Sequence, residues 1–393
     1  MDLDIRQLSL EESIKTFHFL SSYAFTPTPP LPDEEKFSED FRSRDGATFF
    51  AVFEEGQPQA AACSTTPLRQ NLRGVDFLMG GVADVCTHPA ARRKGYVRGL
   101  MHRFYQQFKE KGMAISCLYP FKEAFYQRLG YVTFPQAKKI QFGPECLKPI
   151  LKLQVPGKFN LLPFKDNFPI YRQYLEKYQA KTHGMAVFSI PQSKAAESRE
   201  TWLAVARQGD NIIGLMQYKL KGQMMKQELV AFDFLFDSPT GKYLLLDWIA
   251  RHLDQVTTVK LVLQPGLDGE TLFTDIRPEI ERYFVAPMGR VIDIKALAGL
   301  PVGEGVLTIS LVDPDCPWNE GQWRLQGANG QLVVEQTDKP GIPLSVQGLT
   351  ALVYGVYDPA EFPLRGWGNP DDRACETMRR MFPPAIPFIH AMY

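Results

Sequence analysis

The sequence predicts an α/β (α+β) protein built from two mixed-sheet domains in series and a third, α+β region. Three observations carry that prediction. The chain has 393 residues, and single cores stop growing beyond roughly 250 to 300 residues, so two or three domains are expected. The order strand, turn, helix, strand occurs twice, the second time without the side chains of the first. After Met288-Gly289-Arg290 the chain turns to short alternating strands and two short helices.

The elements follow in order. From Phe49 to Cys63 two apolar runs flank Glu54-Glu55-Gly56-Gln57-Pro58, which predicts a hairpin. Phe77 to Cys86 is a further strand, and Val97, Leu100, Met101, Phe104 and Phe108 recur at helical spacing up to the stop at Lys111-Gly112. Met113 to Tyr119 is strand-like, and Phe121 to Arg128 offers a short helix before Gly130-Tyr131-Val132. The second pass runs through a helix at Asn167 to Gln179, a hairpin at Gln208-Gly209-Asp210-Asn211 and a strand at Leu229 to Phe236. The turn Ser238-Pro239-Thr240-Gly241, a helix from Lys242 to Leu253 and a strand at Thr258 to Leu263 complete it. Strands at Gly305 to Val312, Gln322 to Gln326, Leu332 to Gln336 and Pro343 to Val346 are followed by helices at Leu349 to Val356 and Asp372 to Met381. The final Pro387-Phe388-Ile389-His390-Ala391-Met392-Tyr393 is apolar, which predicts a packed segment.

Lys and Arg total 44 against 44 Asp and Glu, so no net field favours a nucleic-acid backbone or an anionic membrane, and any anion site must be local. The longest apolar runs, such as Leu244-Leu245-Leu246, are far shorter than the roughly 18 to 20 residues of a membrane span. Met1-Asp2-Leu3-Asp4 is acidic where an export signal would be basic, so a cytoplasmic location is expected. The six cysteines, Cys63, Cys86, Cys117, Cys146, Cys316 and Cys375, show neither a disulfide framework nor zinc-ligand spacing, and no metal is expected.

Against this neutral background, Arg92, Arg93, Lys94 and Arg98 cluster around Gly95 between a strand and a helix. The N–H groups at a helix start have no intrahelical partner, and their partial positive charge receives phosphate. Gly95 lets the backbone approach closely, and the cations add charge-assisted bonds to a diphosphate. A basic helix start is unfavourable without a ligand, which argues against a merely solvated charge run. The mononucleotide pattern Gly-x-x-x-x-Gly-Lys-Ser/Thr and the dinucleotide pattern Gly-x-Gly-x-x-Gly are both missing.

Arg92-x-x-Gly95-x-Val97 after a strand instead resembles the diphosphate loop of the GNAT acyltransferases, with Val97 departing from the small residue usual there. Thr87-His88-Pro89-Ala90-Ala91-Arg92-Arg93-Lys94-Gly95, then Phe125-Tyr126-Gln127-Arg128-Leu129-Gly130-Tyr131, then an aromatic final residue, resemble the enhanced-intracellular-survival (Eis) branch of that family. The resemblance implies a catalytic GNAT domain at 1–146, a degenerate GNAT-like domain at 147–288 and a domain similar to sterol carrier proteins at 289–393. It implies acetyl-CoA as co-substrate, with Val85, Cys86 and Thr87 along the pantetheine arm and Arg93, Lys94, Gly95, Tyr96, Val97 and Arg98 at the diphosphate. Phe121 and Lys122 would also touch the cofactor, Tyr126 would be the general acid and the α-carboxylate of Tyr393 the general base. A small-molecule amine or a lysine side chain would be the acceptor, and the branch is similar in forming homo-oligomers, namely hexamers.

These roles are chemically coherent. An amine attacks a thioester as the free base, so one group must accept its proton and another must assist the departing thiolate. A phenol with a reference pKa near 10 can donate at neutral pH, whereas a terminal carboxylate can only accept. A backbone N–H, that of Val85, would stabilise the oxyanion. His88 is expected as a turn residue, and Cys86 and Cys117 as buried thiols without a base partner. The competing function is a catalytically idle lipid- or apolar-ligand-binding protein that uses the sterol-carrier-like region. Met392 and Thr26 bring no charge to the acceptor side, and Asp33, Glu34 and Glu35 are the acidic candidates there.

Overall fold

The computed structural model describes residues 3–190 and 199–393; Met1 and Asp2 of the acidic N-terminal stretch lie outside the described residues. The chain divides into two compact units, 1–134 with 182–190 and 286–393, and 135–181 with 191–285.

The first unit contains a mixed sheet. Its strands are β1 (Asp4–Gln7), β2 (Thr48–Glu54), β3 (Gln57–Ser64), β4 (Leu68–Leu72), β5 (Val75–Thr87), β6 (Ile115–Leu118) and β7 (Val132–Thr133). The order is β1-β2-β3-β5-β6, then Met288–Val291, then β7, with β4 pairing β5 and Ala186–Phe188. Strand alternation divides the hairpin residues between two layers. Phe50, Val52, Ala60 and Ala62 pack under helix α3 (Tyr96–Glu110). Phe49, Ala51, Ala61 and Cys63 pack on the opposite face under α1 (Leu10–Phe25) and α2 (Glu34–Arg42).

Helix α1 begins at a capping box in which the Ser9 side chain accepts from Glu12 N–H and the Glu12 carboxylate accepts from Ser9 N–H. Helix α3 buries Tyr96, Leu100, Met101, Phe104, Tyr105 and Phe108 along one stripe. Each of these large side chains contributes about 1.5–3 kcal/mol on burial, against roughly 0.3–1 kcal/mol for a mismatched charge at a helix end. Packing therefore decides that this basic segment is helical.

The remainder of this unit is the third region of the sequence. Strands Gln331–Gln336, Gly321–Ala328, Gly305–Val312 and Ile342–Ser345 form a four-stranded sheet in that order. Its helix Val346–Tyr354 starts three residues earlier than the periodicity suggests, because the Ser345 side chain caps it, and it ends at left-handed Gly355. Trp323, Leu349 and Met378 of this region share one core with Leu68, Met79 and Ile115 of the first sheet.

The second unit carries a seven-stranded sheet in the order Glu279–Arg282, Lys138–Phe142, Val256–Leu263, Lys226–Phe236, Asn211–Gln223, Trp202–Gln208, Lys158–Pro163. Its parallel pair, Lys226–Phe236 with Val256–Leu263, is joined by the helix Pro239–Ala250. That helix also starts three residues ahead of expectation, since Ser238 caps it and Pro239 fits its first turn. The α/β architecture with its later α+β region is the one expected. No described helix is long and apolar enough to cross a membrane.

Candidate active site

The parallel pairing of β5 with β6 runs from Met79 opposite Ile115 to Val82 opposite Leu118 and stops there, although β5 continues to Thr87. Residues 83 to 87 therefore have an unpaired edge beyond the end of β6. The divergence coincides with a bulge. Ala61 of β3 lies opposite Cys86 and Cys63 opposite Ala83, so β5 holds one more residue than β3 across this interval. Asp84 sits in that bulge with φ 50°, a left-handed conformation that Asp tolerates better than most side chains. Its carboxylate is held by Arg44, whose guanidinium also donates to Asp40 at 2.9 Å and lies 4.2 Å above the Phe41 ring. Burial works against the Arg44 charge, but Asp84 and its neighbours raise its pKa overall.

Val85 and Thr87 are half-buried on the diverging stretch, while Cys86 is buried and directs its thiol at the Ala61 carbonyl. Burial raises the pKa of that thiol, and it lifts Cys117 to about 12, so both are protonated near neutral pH. His88 follows, and its Nδ1 accepts from Ala90 N–H at 3.3 Å, the turn role expected of it.

The basic turn then enters α3 through Arg93 at φ 67° and Gly95 at φ 86°. Gly95 is the N-cap, no side chain caps the helix, and the position where a Cβ would stand is open. The N–H groups of the first turn thus have no side-chain cap among the described residues. The side chains of Arg92 and Arg93 are exposed and make no hydrogen bond or ion pair with described residues. Lys94 and Arg98 are already engaged: Lys94 pairs with Glu54 at 3.0 Å, and Arg98 donates to Asp315 from Nε and Nη2 at 3.0 and 2.9 Å. Tyr96 is buried with its hydroxyl on Glu54, and Val97 is half-buried against the α3 core.

Past β6, Phe121 is 66 % exposed, Lys122 is exposed, and helix α4 (Glu123–Gln127) carries Tyr126. The Tyr126 ring meets Phe121 at 5.7 Å, Phe125 at 5.0 Å and Tyr131 at 6.1 Å between centroids. Burial, and then Tyr131, push its phenol well above the ordinary tyrosine value. It remains a proton donor throughout the neutral range.

The segment ending at Tyr393 reaches the same sheet. Phe388, Ile389 and Ala391 are buried, as the apolar composition predicts. Phe388 N–H donates to the His183 carbonyl at 3.0 Å, and Tyr119 OH donates to the Ala391 carbonyl at 3.0 Å. The Tyr393 ring lies edge-on to Tyr119 at 5.6 Å and against Gly81 of β5, where a Cβ would stand 3.1 Å from Tyr393 Cε2 and 2.4 Å from Thr65 Oγ1. Its hydroxyl is buried without a hydrogen-bond partner among the described residues, within electrostatic reach of Cys117, Tyr119 and Tyr131. Tyr131 thus neighbours both Tyr126 and Tyr393, and its own hydroxyl is 2.8 Å from Ser116 Oγ.

On the opposite face, Thr26 caps α1 and spends its hydroxyl on the Ser22 carbonyl, while Asp33 caps α2 and accepts from Lys36 N–H. Glu34 and Glu35 are solvent-exposed. Sequence reasoning passed over Glu54, Asp84, Tyr119, Tyr131 and Asp315. The turn Glu54-Glu55-Gly56 was visible as a hairpin, but nothing in it announced a partner 40 residues away.

Comparison with known proteins agrees with this geometry. Residues 4–134 match the acetyltransferase (GNAT) domain family, and residues 294–390 match the sterol carrier protein domain family. An uncharacterized N-acetyltransferase of Streptomyces avermitilis is 22 % identical over 326 residues, covering 72 % of this chain and 73 % of that one. Among solved structures, a GCN5-related N-acetyltransferase from Anabaena variabilis superposes with a TM-score of 0.85 at 18 % identity, covering 100 % of both chains. Eis1 from Mycobacterium abscessus does so with a TM-score of 0.77 at 16 % identity, again over 100 % of both. The diverging strands and uncapped helix start suit acetyl-CoA, the co-substrate that a GNAT fold implies. The chain therefore carries a GNAT acetyltransferase domain at its N-terminal end and a sterol-carrier-like domain at its C-terminal end, and it is an acyltransferase.

Proposed function

We propose that the protein transfers the acetyl group of acetyl-CoA directly to a primary amine, on a small molecule or a lysine side chain, and that it belongs to the Eis branch of its superfamily. The observation that carries this reading is the divergence of β5 from β6 after Val82, next to a start of α3 that no described side chain caps and to the side chains of Arg92 and Arg93, which have no partner among the described residues. In this reading the pantetheine arm lies along Val85, Cys86 and Thr87. The diphosphate is held at the first turn of α3, by Arg93, Lys94, Gly95, Tyr96 and Val97, while Arg98 keeps its bonds to Asp315, and Phe121 and Lys122 also contact the cofactor.

The amine nitrogen attacks the thioester carbon, the C–N bond forms and the C–S bond breaks. The proton lost by the amine passes to the carboxylate of Tyr393. Tyr126 gives its proton to the leaving thiolate and recovers one from solvent. Burial keeps the Tyr126 phenol protonated, as a donor must be, and the N–H of Val85 is the candidate oxyanion donor. Assembly as a homo-oligomer, a hexamer, and a cytoplasmic location belong to the same reading; native mass spectrometry tests the first.

The test is thiol release from acetyl-CoA with a panel of primary amines. Tyr126→Phe is expected to lower kcat by about a hundredfold or more while leaving acetyl-CoA affinity near that of the parent. Tyr393→Phe keeps a carboxylate and should retain turnover, whereas an extra glycine after residue 393 displaces the carboxylate and should abolish it. Parental kcat in both Tyr126→Phe and the glycine-extended variant would remove both assignments.

A further inference from the structure

Two of the cations at the basic turn already have acidic partners, and the two pairs differ in kind. Asp315 is only 3 % exposed in its side chain, and besides Arg98 it contacts His102 Nε2 at 2.5 Å. Removing Arg98 would take a cationic partner from a buried carboxylate, so that pair is a fixed staple. Glu54 and Lys94 are 41 % and 48 % exposed in their side chains, and their 3.0 Å contact is a surface ion pair. The Tyr96 hydroxyl donates to the same carboxylate. Glu54 is the last residue of β2 and precedes the left-handed turn at Glu55 and Gly56. An open cavity of about 570 Å³ adjoins it, lined by Glu54, Glu55, Gln57, Gln59 and Lys94. The carboxylate therefore has room to change rotamer.

A basic helix start is unfavourable without a nearby anion, and here a carboxylate supplies one. We propose that Glu54 is an internal counter-anion that occupies Lys94 and Tyr96 in the free protein, and that its displacement by the diphosphate of the co-substrate sets the affinity for acetyl-CoA. This rests on the preceding reading, in which acetyl-CoA binds at this turn. On binding, Lys94 Nζ and the Tyr96 hydroxyl exchange a carboxylate for phosphate oxygens, and Glu54 turns into the cavity. Affinity is thereby reduced by the strength of one exposed ion pair and one phenol hydrogen bond. Glu54 touches no reacting atom, so kcat at saturation is independent of it.

Calorimetric titration of acetyl-CoA into the full-length protein and into Glu54→Gln and Glu54→Ala tests the exchange. Both variants are expected to bind about two- to fivefold more tightly at low ionic strength, the range set by an exposed ion pair, with kcat unchanged. The gain should shrink as salt is raised towards about 1 M, where screening acts over roughly 3 Å. With S-acetylpantetheine, which lacks the diphosphate, kcat/KM should be the same for parent and variants. Equal or weaker acetyl-CoA binding in the variants overturns the proposal, as does an equal gain with S-acetylpantetheine. A parent protein that binds no acetyl-CoA removes both readings; one that binds it while Glu54→Gln binds no more tightly removes only this one.

Discussion

The two strand-turn-helix-strand units share a backbone design and differ at the turn. In the first, one extra residue of β5 lies opposite β3 between Ala83 and Cys86, and the parallel partner ends at Leu118. In the second, Gln217 lies opposite Asp233 and Tyr218 opposite Ala231, so the strand Lys226–Phe236 also holds an extra residue, and its parallel pairing ends at Ala231 opposite Leu261. The helix starts are unlike. Gly95 leaves the first turn of α3 uncovered and surrounded by cations. Ser238 accepts from Gly241 N–H at 3.1 Å, and a Cβ on Gly241 would stand 2.0 Å from the Ile213 carbonyl oxygen. The second helix start is thus capped by a side chain and covered by backbone. Asp233 beside its bulge is buried and accepts from Tyr171 OH at 2.8 Å. Bulge and divergence alone are scaffold; an uncapped, cationic helix start makes a diphosphate receptor.

The largest test of this contrast is a pair of charge reversals. Arg93→Glu is expected to raise the acetyl-CoA Kd by more than about tenfold, since a charge-assisted bond contributes roughly 1.5–3 kcal/mol. Lys242→Glu, at the matching turn of the second unit, should change it less than about twofold, and equal effects from the two would erase the distinction.

Acid should also separate the units. Burial lowers the His183 pKa to about 4, outweighing the Tyr354 carbonyl that favours its protonation. Its Nδ1 accepts from Arg73 N–H at 3.0 Å, a bond the protonated ring cannot make. Between pH 6.5 and about 4 the unfolded chain binds this proton and the folded chain does not. Stability of the first unit, full above the unfolded pKa, is lost as pH falls through that window, by on the order of 2 kcal/mol. Hydrogen exchange across the pH series should show the first unit opening before the second, and His183→Gln should flatten the dependence. The smallest effect is expected at Ser238→Ala, a cost of about 1 kcal/mol to the second unit in denaturant titration, with acetyl-CoA affinity unmoved.

What the sequence disclosed follows from range. The hairpin at 49–63, helix α3 and the basic turn were legible because periodicity, turn residues and charge clustering are local. Helix α1 was legible too, through Ser9 and Glu12, and its capping box was the signal overlooked. The pairing of Arg98 with Asp315 spans 217 residues and that of Lys94 with Glu54 spans 40, and neither partner carries a pattern that names the other. Arg98 was expected as a diphosphate ligand on type and spacing alone, and the structure shows that its Nε and Nη2 are already committed to Asp315. Met288-Gly289-Arg290 was visible as a change in composition. That it pairs with β6 and β7 was not, because an inserted strand looks like any other short apolar run.

That strand bears on how the protein is made. Met288–Val291 pairs with Ile115–Leu118 on one side and with Val132 and Thr133 on the other, so the ribosome releases the edges of the first sheet long before the strand that joins them. At roughly 5–20 residues per second, the nascent chain waits for many seconds with one edge of β6 unprotected. Val132 and Thr133 have no sheet partner until then. A truncated gene product ending near residue 134 should accordingly expose a sticky strand edge and precipitate, while the same residues coexpressed with the remaining segment should be rescued.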